Sequence, residues 1–150
     1  MNSQKEIENF LSSECFVVVG VSITKKKFGN VIFSELKKMG KRVYGINKKV
    51  DGKGGDGIYS DFKSLPEKVE AAIINITPQE SLGAVKEAFA YGIKKIWIQQ
   101  GAQSVEALQY CQDNGISVIN DMCVLMFSEP ARFPHNFHRW LLKIFGKAPK

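Results

Sequence analysis

The 150-residue sequence lacks the features that mark several large classes of protein. No apolar run approaches the roughly 20 residues that a membrane-spanning helix needs. The N-terminal stretch MNSQKEIENFLSSE has neither the basic segment nor the apolar core of a signal peptide. The three cysteines, Cys15, Cys111 and Cys123, form neither a C-x-x-C pair nor an even set. We therefore expect a cytoplasmic protein with reduced thiols and no transmembrane segment.

Metal-ligating and catalytic residue types are also scarce. The two histidines, His135 and His138, are spaced so that both imidazoles can face one ion. A catalytic zinc takes three protein ligands, however, and no third ligand is evident. Neither Asp121 nor Cys123 lies near a histidine in the sequence, and we interpret Cys123 as a buried thiol rather than a partner for thiol exchange. We predict no metal site and no catalytic residue.

The formal net charge of +6 favours an anionic ligand or a solvated basic face. No RNP, helix-turn-helix or zinc-finger pattern is present, so we predict no nucleic-acid binding. A Walker A motif is also missing. The run GKGGDG, residues 52–57, resembles a phosphate loop in composition only, because it neither follows a strand nor begins a helix. We interpret it as a mobile surface loop.

The stretch at residues 15–40 predicts a strand, a tight loop and a helix. Residues 16–19 are apolar without a break, which is typical of a central parallel strand covered on both faces. Apolar residues then recur at helical spacing, at Ile32, Phe33, Leu36 and Met39. Such a unit points backbone N–H groups and the positive end of a helix dipole at the loop, which makes the loop an anion site. The loop carries three lysines, at positions 25–27.

Strands and helices alternate along the rest of the chain. Further strands are predicted at residues 42–46, 71–76, 95–98 and 117–119, with helices before or between them. Ser104 is a candidate cap for the last of these helices. This rhythm predicts an α/β fold: a doubly wound, Rossmann-like parallel sheet of about five strands in three layers, in a single domain spanning residues 1–150.

The C-terminal part departs from this rhythm. A helix at about residues 136–146 is predicted to be amphipathic, with Trp140, Leu141 and Phe145 beside basic residues. We expect it to dock on the core, or to join a homodimer or a partner subunit. An interfacial membrane anchor is the alternative.

Short segments that contain polar or glycine residues follow four of the predicted strands, at the edge where an open parallel sheet binds its ligands. They are Gly20, Val21 and Ser22; Asn47 and Lys48; Thr77 and Pro78; and Gln100 and Gly101. The dinucleotide fingerprint fails, because a serine replaces its second glycine and the second strand ends without an acidic residue for the ribose. Arg42, Lys48 or Lys49 suits an additional ribose phosphate instead, which leaves NADP and coenzyme A (CoA) open.

Four segments resemble those of the small bacterial and archaeal CoA-binding proteins, which are similar to the N-terminal domain of the succinyl-CoA synthetase alpha subunit. The segments are VVVGVS at residues 17–22, KFGNVIFSELKKMG at 27–40, the strand end at Asn47, and IWIQQG at 96–101. The most specific spacings are S-x-x-x-x-K-x-G, here Ser22, Lys27 and Gly29, and W-x-Q-x-G, here Trp97, Gln99 and Gly101.

The resemblance implies that CoA or an acyl-CoA lies in a groove above the strand ends. The residues it implies at that site are Gly20, Val21, Ser22, Lys27, Phe28, Gly29, Arg42, Asn47, Lys48, Ile76, Thr77, Pro78, Gln100 and Gly101. The loop and the helix start would hold phosphate, Arg42 would meet a phosphate of the nucleotide half, and Ile76 to Pro78 would flank adenine or pantetheine.

The sequence departs from the related proteins in two respects. Related proteins commonly end the second strand in Pro-Val-Asn-Pro, where this chain has Gly45-Ile46-Asn47-Lys48, and the synthetase's phospho-histidine domain has no counterpart in this sequence. We predict a non-catalytic binding or regulatory module for CoA or an acyl-CoA, a small nucleotide thioester. The alternative is an NADP-binding reductase or a CoA-ligase partner subunit that needs a second protein for catalysis.

Overall fold

The computed structural model describes residues 4–24, 27–50 and 57–126. Its helices are α1 (Gln4–Leu11), α2 (Phe28–Lys38), α3 (Pro78–Tyr91) and α4 (Val105–Asp113). Its strands are β1 (Cys15–Val19), β2 (Arg42–Ile46), β3 (Ile58–Tyr59), β4 (Ala71–Ile74), β5 (Lys95–Gln99) and β6 (Ser117–Met122). Short 3-10 turns follow β3 and β6.

All neighbouring strands pair in parallel, in the order β3-β2-β1-β4-β5-β6. The strand order reverses between β1 and β4, as in a doubly wound fold. The predicted Rossmann-like fold is therefore confirmed, with six strands rather than about five. The additional strand, β3, has two residues that pair with Gly45 and Ile46, which is too short for a pattern of alternation to reveal it.

Helices α3 and α4 cover one face of the sheet. Val17 and Val19 of β1 pack on this side with Val85 of α3 and Cys111 of α4. This apolar core lies between the sheet and the layer of α3 and α4. It is one of the two helix–sheet cores of a three-layer fold.

Helices α1 and α2 cover the other face. Phe16 and Val18 point to this side and pack with Phe10 of α1 and Leu36 of α2. The Phe10 ring meets the fully buried Trp97 ring edge-on, with centroids 5.3 Å apart. Because successive residues of β1 enter opposite cores, every residue of that strand is buried, which explains its unbroken apolar run.

Several element boundaries differ from the sequence-based prediction. Strand β4 ends at Ile74, and α3 begins at Pro78, where proline is favoured in the first turn of a helix. Strands β5 and β6 run further than predicted, past an irregularity in their pairing after Trp97. Ser104 caps α4 as predicted, since its Oγ accepts a hydrogen bond from the Ala107 N–H at 3.1 Å.

Some predictions fall outside the described residues: the helix at about 136–146, both histidines, the loop at 52–56, and Lys25 and Lys26. The tail helix as a site of self-association therefore stays a prediction. Within the described residues, each helix is too short or too polar to cross a bilayer.

Candidate functional site

A groove of about 900 Å³ opens at the carboxyl edge of the sheet, where the strand order reverses. The chain leaves β1 toward α2 on one face and leaves β4 toward α3 on the other, so the two loops diverge and a crevice forms between them. Most of the predicted site residues line this groove: Gly20, Val21, Ser22, Lys27, Asn47, Lys48, Ile76, Thr77, Pro78 and Gly101. Its volume lies within the range of about 300–1,000 Å³ that is usual for small-molecule sites.

Two glycines let the start of α2 approach the end of β1. Gly20 has φ of +113°, and a Cβ there would lie 2.1 Å from the carbonyl oxygen of Asn75. A Cβ on Gly29 would lie 2.3 Å from the Gly20 carbonyl oxygen. Neither position has room for a side chain, so both glycines are needed for the close approach of the loop and the helix. Gly29 is buried beneath the loop.

Asn30, which the sequence analysis missed, holds the loop to the helix. Its Oδ1 accepts hydrogen bonds from the backbone N–H groups of Ser22 at 3.0 Å and Lys27 at 3.2 Å. Its Nδ2 donates to the Ser22 carbonyl at 2.8 Å. Asn30 is the third residue of α2, and its bond to the Lys27 N–H is that of a capping box, but the sequence Lys-x-x-Asn does not match the usual Ser/Thr-x-x-Glu/Gln signal.

Asn47 fixes the neighbouring strand end. Its Nδ2 donates to the Val21 carbonyl at 2.8 Å, and its Oδ1 accepts from the Lys49 N–H at 2.9 Å. Gly45 beside it leaves space for Val21, because a Cβ there would lie 3.0 Å from Val21 Cγ2. The turn that carries Lys48 and Lys49 is thereby attached to the loop after β1.

The charges in the groove are unevenly distributed. Lys27, Lys48 and Lys49 line the side formed by the loops after β1 and β2. The N-termini of α2 and α3 also lie at the groove, at Lys27 and Thr77. Helix N-termini and lysines both favour anions. This side of the groove can therefore hold phosphate groups.

Apolar side chains complete the walls. Ile23, which is 47% exposed, lies on the loop after β1, and Ile76 lies on the loop after β4. Phe62 and Ile46 also line the groove and are buried. A ligand with both phosphates and an apolar portion matches this combination.

The structure does not bring Arg42 to the groove, which corrects the prediction for that residue. Arg42 begins β2 and pairs in register with Cys15, the first residue of β1. The groove lies past the other end of both strands, about 13 Å away at a rise of about 3.3 Å per residue. The Arg42 guanidinium instead lies 3.0 Å from the Glu67 carboxylate.

Phe28 and Gln100 are not among the residues that line the groove. Phe28 is half-buried and packs instead against the apolar core between the sheet and helices α1 and α2. Gln100 is half-buried beside the groove, and its neighbour Gly101 provides the contact from this loop.

Glu67 organises a cluster at the amino edge of the sheet. The Tyr44 hydroxyl donates to Glu67 Oε2 at 2.5 Å, and the Arg42 Nε donates to Oε1 at 3.0 Å. The hydrogen bond from Tyr44, followed by the charge of Arg42, holds the pKa of Glu67 below its usual value. The same hydrogen bond raises the pKa of Tyr44 to about 12.

The motif residue Gln99 is structural. It is buried, its Oε1 accepts from the Val124 N–H at 2.8 Å, and its Nε2 donates to Cys123 Sγ at 3.3 Å. Burial raises the pKa of the Cys123 thiol, so the thiol stays protonated at neutral pH and packs as a small apolar group. All three cysteines are buried and free, and the described residues contain no group of three or more side chains suited to a metal ion.

A family model described as a CoA binding domain matches residues 14–129 of this chain. The uncharacterized protein YneT of Bacillus subtilis strain 168 is 24% identical over 123 residues, which cover 81% of this chain and 91% of YneT. A conserved hypothetical protein from Pyrococcus furiosus has a solved structure that is 29% identical, with a TM-score of 0.67, over 75% of this chain and 97% of its own.

A larger enzyme contains the same fold. The apo form of the dinucleotide-forming acetyl-coenzyme A synthetase 1 from Ca. Korarchaeum cryptofilum is 23% identical, with a TM-score of 0.58. The match covers 72% of this chain but 26% of the synthetase. At 23% identity, this similarity shows a shared fold and no shared activity is inferred from it.

Proposed function

Because this chain belongs to the CoA binding domain family, we propose that it binds CoA or an acyl-CoA in the groove at the carboxyl edge, as a binding or regulatory module without catalysis of its own. The observation that carries the proposal is the junction of β1 and α2. There, a glycine-built loop, a helix N-terminus and Lys27 face the same groove as Lys48 and Lys49.

The chemistry of CoA matches the distribution of groups in the groove. CoA has a diphosphate, a ribose 3′-phosphate and a long, less polar pantetheine arm. We assign the diphosphate to the loop of Gly20 to Ser22 and to Lys27, because the positive end of the α2 dipole and the Lys27 ammonium group both favour an anion there. Lys48, on the turn that Asn47 holds, is assigned to the ribose 3′-phosphate.

The adenine and pantetheine portions are assigned to the less charged walls. Ile76, Thr77 and Pro78, together with Gly101, line these walls and are the residues that we assign to them. Gly29 supports the site from below through its packing against Gly20.

One feature supports a binding role rather than catalysis, and another favours the second candidate function. The described residues that line the groove include no cysteine or histidine, the side chains that most often provide nucleophiles and proton transfer. The fit of this chain to about a quarter of an acetyl-coenzyme A synthetase favours the second candidate, a CoA-binding partner of a ligase whose other parts lie on another protein.

Isothermal titration of the purified full chain with CoA, dephospho-CoA, NADP and NAD tests the proposal. We expect CoA to bind most tightly, dephospho-CoA more weakly because it lacks the 3′-phosphate, and NAD not at all. Binding of NADP in preference to CoA would establish the reductase alternative. Absence of CoA binding in a folded sample would refute the proposed function.

A further inference from the structure

A salt bridge links the two sides of the groove. Lys48 Nζ lies 2.9 Å from Glu87 Oε1. Lys48 lies on the turn after β2, Glu87 lies on α3, and both residues line the groove. The pair therefore joins basic and acidic side chains from two walls of the groove. A ligand in the groove can contact the same basic side chain.

The wall formed by α3 is acidic. Glu80, Ala84 and Glu87 are spaced by four and three residues, which places them on one face of the helix, and all three line the groove. A phosphate that approaches Lys48 on this side also approaches Glu87, and like charges repel. The Glu87 carboxylate is thus a direct competitor of any anionic ligand for Lys48.

We propose that Glu87 tunes the affinity for phosphate monoesters: it occupies Lys48 in the empty groove, competes with a phosphate monoester for that side chain, and leaves the binding of ligands without one unaffected. This inference rests on the proposed function, because it concerns a ligand of the same groove. A phosphate monoester carries about −1.5 to −2 charges at neutral pH, against one for a carboxylate. It therefore attracts Lys48 more strongly than Glu87 does.

The exposure of the pair makes such an exchange feasible. The side chain of Lys48 is 71% exposed and that of Glu87 is 41% exposed. Ion pairs at this exposure are weak, since water solvates both partners after they separate. Lys48 can leave Glu87 for a ligand, and the carboxylate is then solvated at the rim of the groove.

The test compares the dissociation constants of CoA and dephospho-CoA for four proteins: the wild type, Glu87→Gln, Lys48→Gln and the double variant. In the Lys48 background, Glu87→Gln is expected to tighten CoA binding about three- to fivefold, the scale of one exposed ion pair, and to leave dephospho-CoA within about twofold. In the Lys48→Gln background the same substitution is expected to have a smaller effect on CoA, because the competition for Lys48 no longer exists and only the direct repulsion between Glu87 and the phosphate is removed.

Glu106→Gln on α4 is the matched control, because it removes one negative charge from a helix outside the groove. It is expected to leave both dissociation constants unchanged. An unchanged or weaker affinity of Glu87→Gln for CoA would overturn the inference, and so would an equal gain in both Lys48 backgrounds. Failure of the wild type to bind CoA would instead refute the proposed function and this inference with it.

Discussion

At the amino edge of the sheet, Arg42 lies 3.0 Å from Glu67, and the Tyr44 hydroxyl donates to the same carboxylate. At the carboxyl edge, Lys27 and Lys48 lie beside a groove and the N-termini of two helices. Both edges carry positive charge. At the amino edge the charge of Arg42 is held within a compact cluster, whereas at the carboxyl edge Lys27 and Lys48 face a space large enough for a ligand, although Lys48 also pairs with Glu87.

The difference shows that the direction of the strands decides what a basic residue does here. In a parallel sheet every strand delivers its carboxyl end to the same edge, and the following helices place their positive ends there. A cation at that edge adds to an existing anion site, whereas a cation at the other edge finds only the side chains around it. Three pairs of variants test this contrast.

Gly20→Ala is expected to have the largest effect. The positive φ at that position costs about 1–3 kcal/mol for a residue other than glycine, and the new Cβ would meet the Asn75 carbonyl. We expect a loss of at least about 3 kcal/mol in the free energy of unfolding and the loss of CoA binding, measured by urea denaturation and titration.

Gly83→Ala is the control for Gly20→Ala. Gly83 lies in α3, and a Cβ there would meet no atom within 4 Å. It should stabilise the protein by about 0.5–1 kcal/mol through helix propensity. Equal stability of the two alanine variants would contradict the assigned role of Gly20.

Lys27→Gln and Arg42→Gln remove the same charge from opposite edges. We expect Lys27→Gln to weaken CoA binding about tenfold, or about 1.4 kcal/mol, through loss of a charged contact to phosphate. Arg42→Gln should leave the affinity within about twofold, because that residue lies at the amino edge. If titration shows equal losses, the net charge and not the groove governs binding.

Glu67→Gln should have the smallest effect, and it should depend on pH. The folded-state pKa of Glu67 is lowered, first by the Tyr44 hydrogen bond. The ionised carboxylate therefore stabilises the fold above its unfolded-state pKa of about 4.3, and this contribution is lost as pH falls through the lower folded value. The melting temperatures of the wild type and the variant should differ at neutral pH and converge in acid.

Tyr44→Phe provides the control for this pH dependence. It removes the hydroxyl that lowers the pKa of Glu67 and keeps the aromatic ring beside Tyr59. The Glu67-dependent loss of stability in acid should then be smaller than in the wild type and should be complete at a higher pH, because the folded-state pKa of Glu67 moves closer to its unfolded-state value. A difference between wild type and Glu67→Gln that stays constant from neutral to acid pH would show that the carboxylate charge is not involved.

Local sequence signals identified much of the fold. The apolar run of β1, the cap at Ser104 and the alternation of strands and helices were sufficient to predict a doubly wound sheet, since each reflects the chain's own neighbours. The family resemblance, drawn from short motifs, is confirmed by the match over residues 14–129. Strand β3 was missed because its two residues become a strand only by pairing with β2.

The predictions for the site depended more on where each residue lies relative to the ends of the strands. Residues directly after a strand, such as Ser22 and Asn47, line the groove because parallel strands end at a common edge. Arg42 was assigned to the same site from its charge and from the family resemblance, although it begins a strand. Asn30 was overlooked because its value lies in hydrogen bonds to a loop several residues earlier in the chain.

The sequence by itself determined where the helices and every strand of the sheet except β3 form, which strand is buried on both faces, and which loops carry glycine and lysine. Periodicity, capping and backbone freedom are properties of neighbouring residues, so they can be read directly. Only the tertiary structure decided that Arg42 pairs with Glu67 and that Glu87 reaches Lys48 across the groove. These contacts join residues far apart in the chain, and the packing of helices on the sheet brings them together.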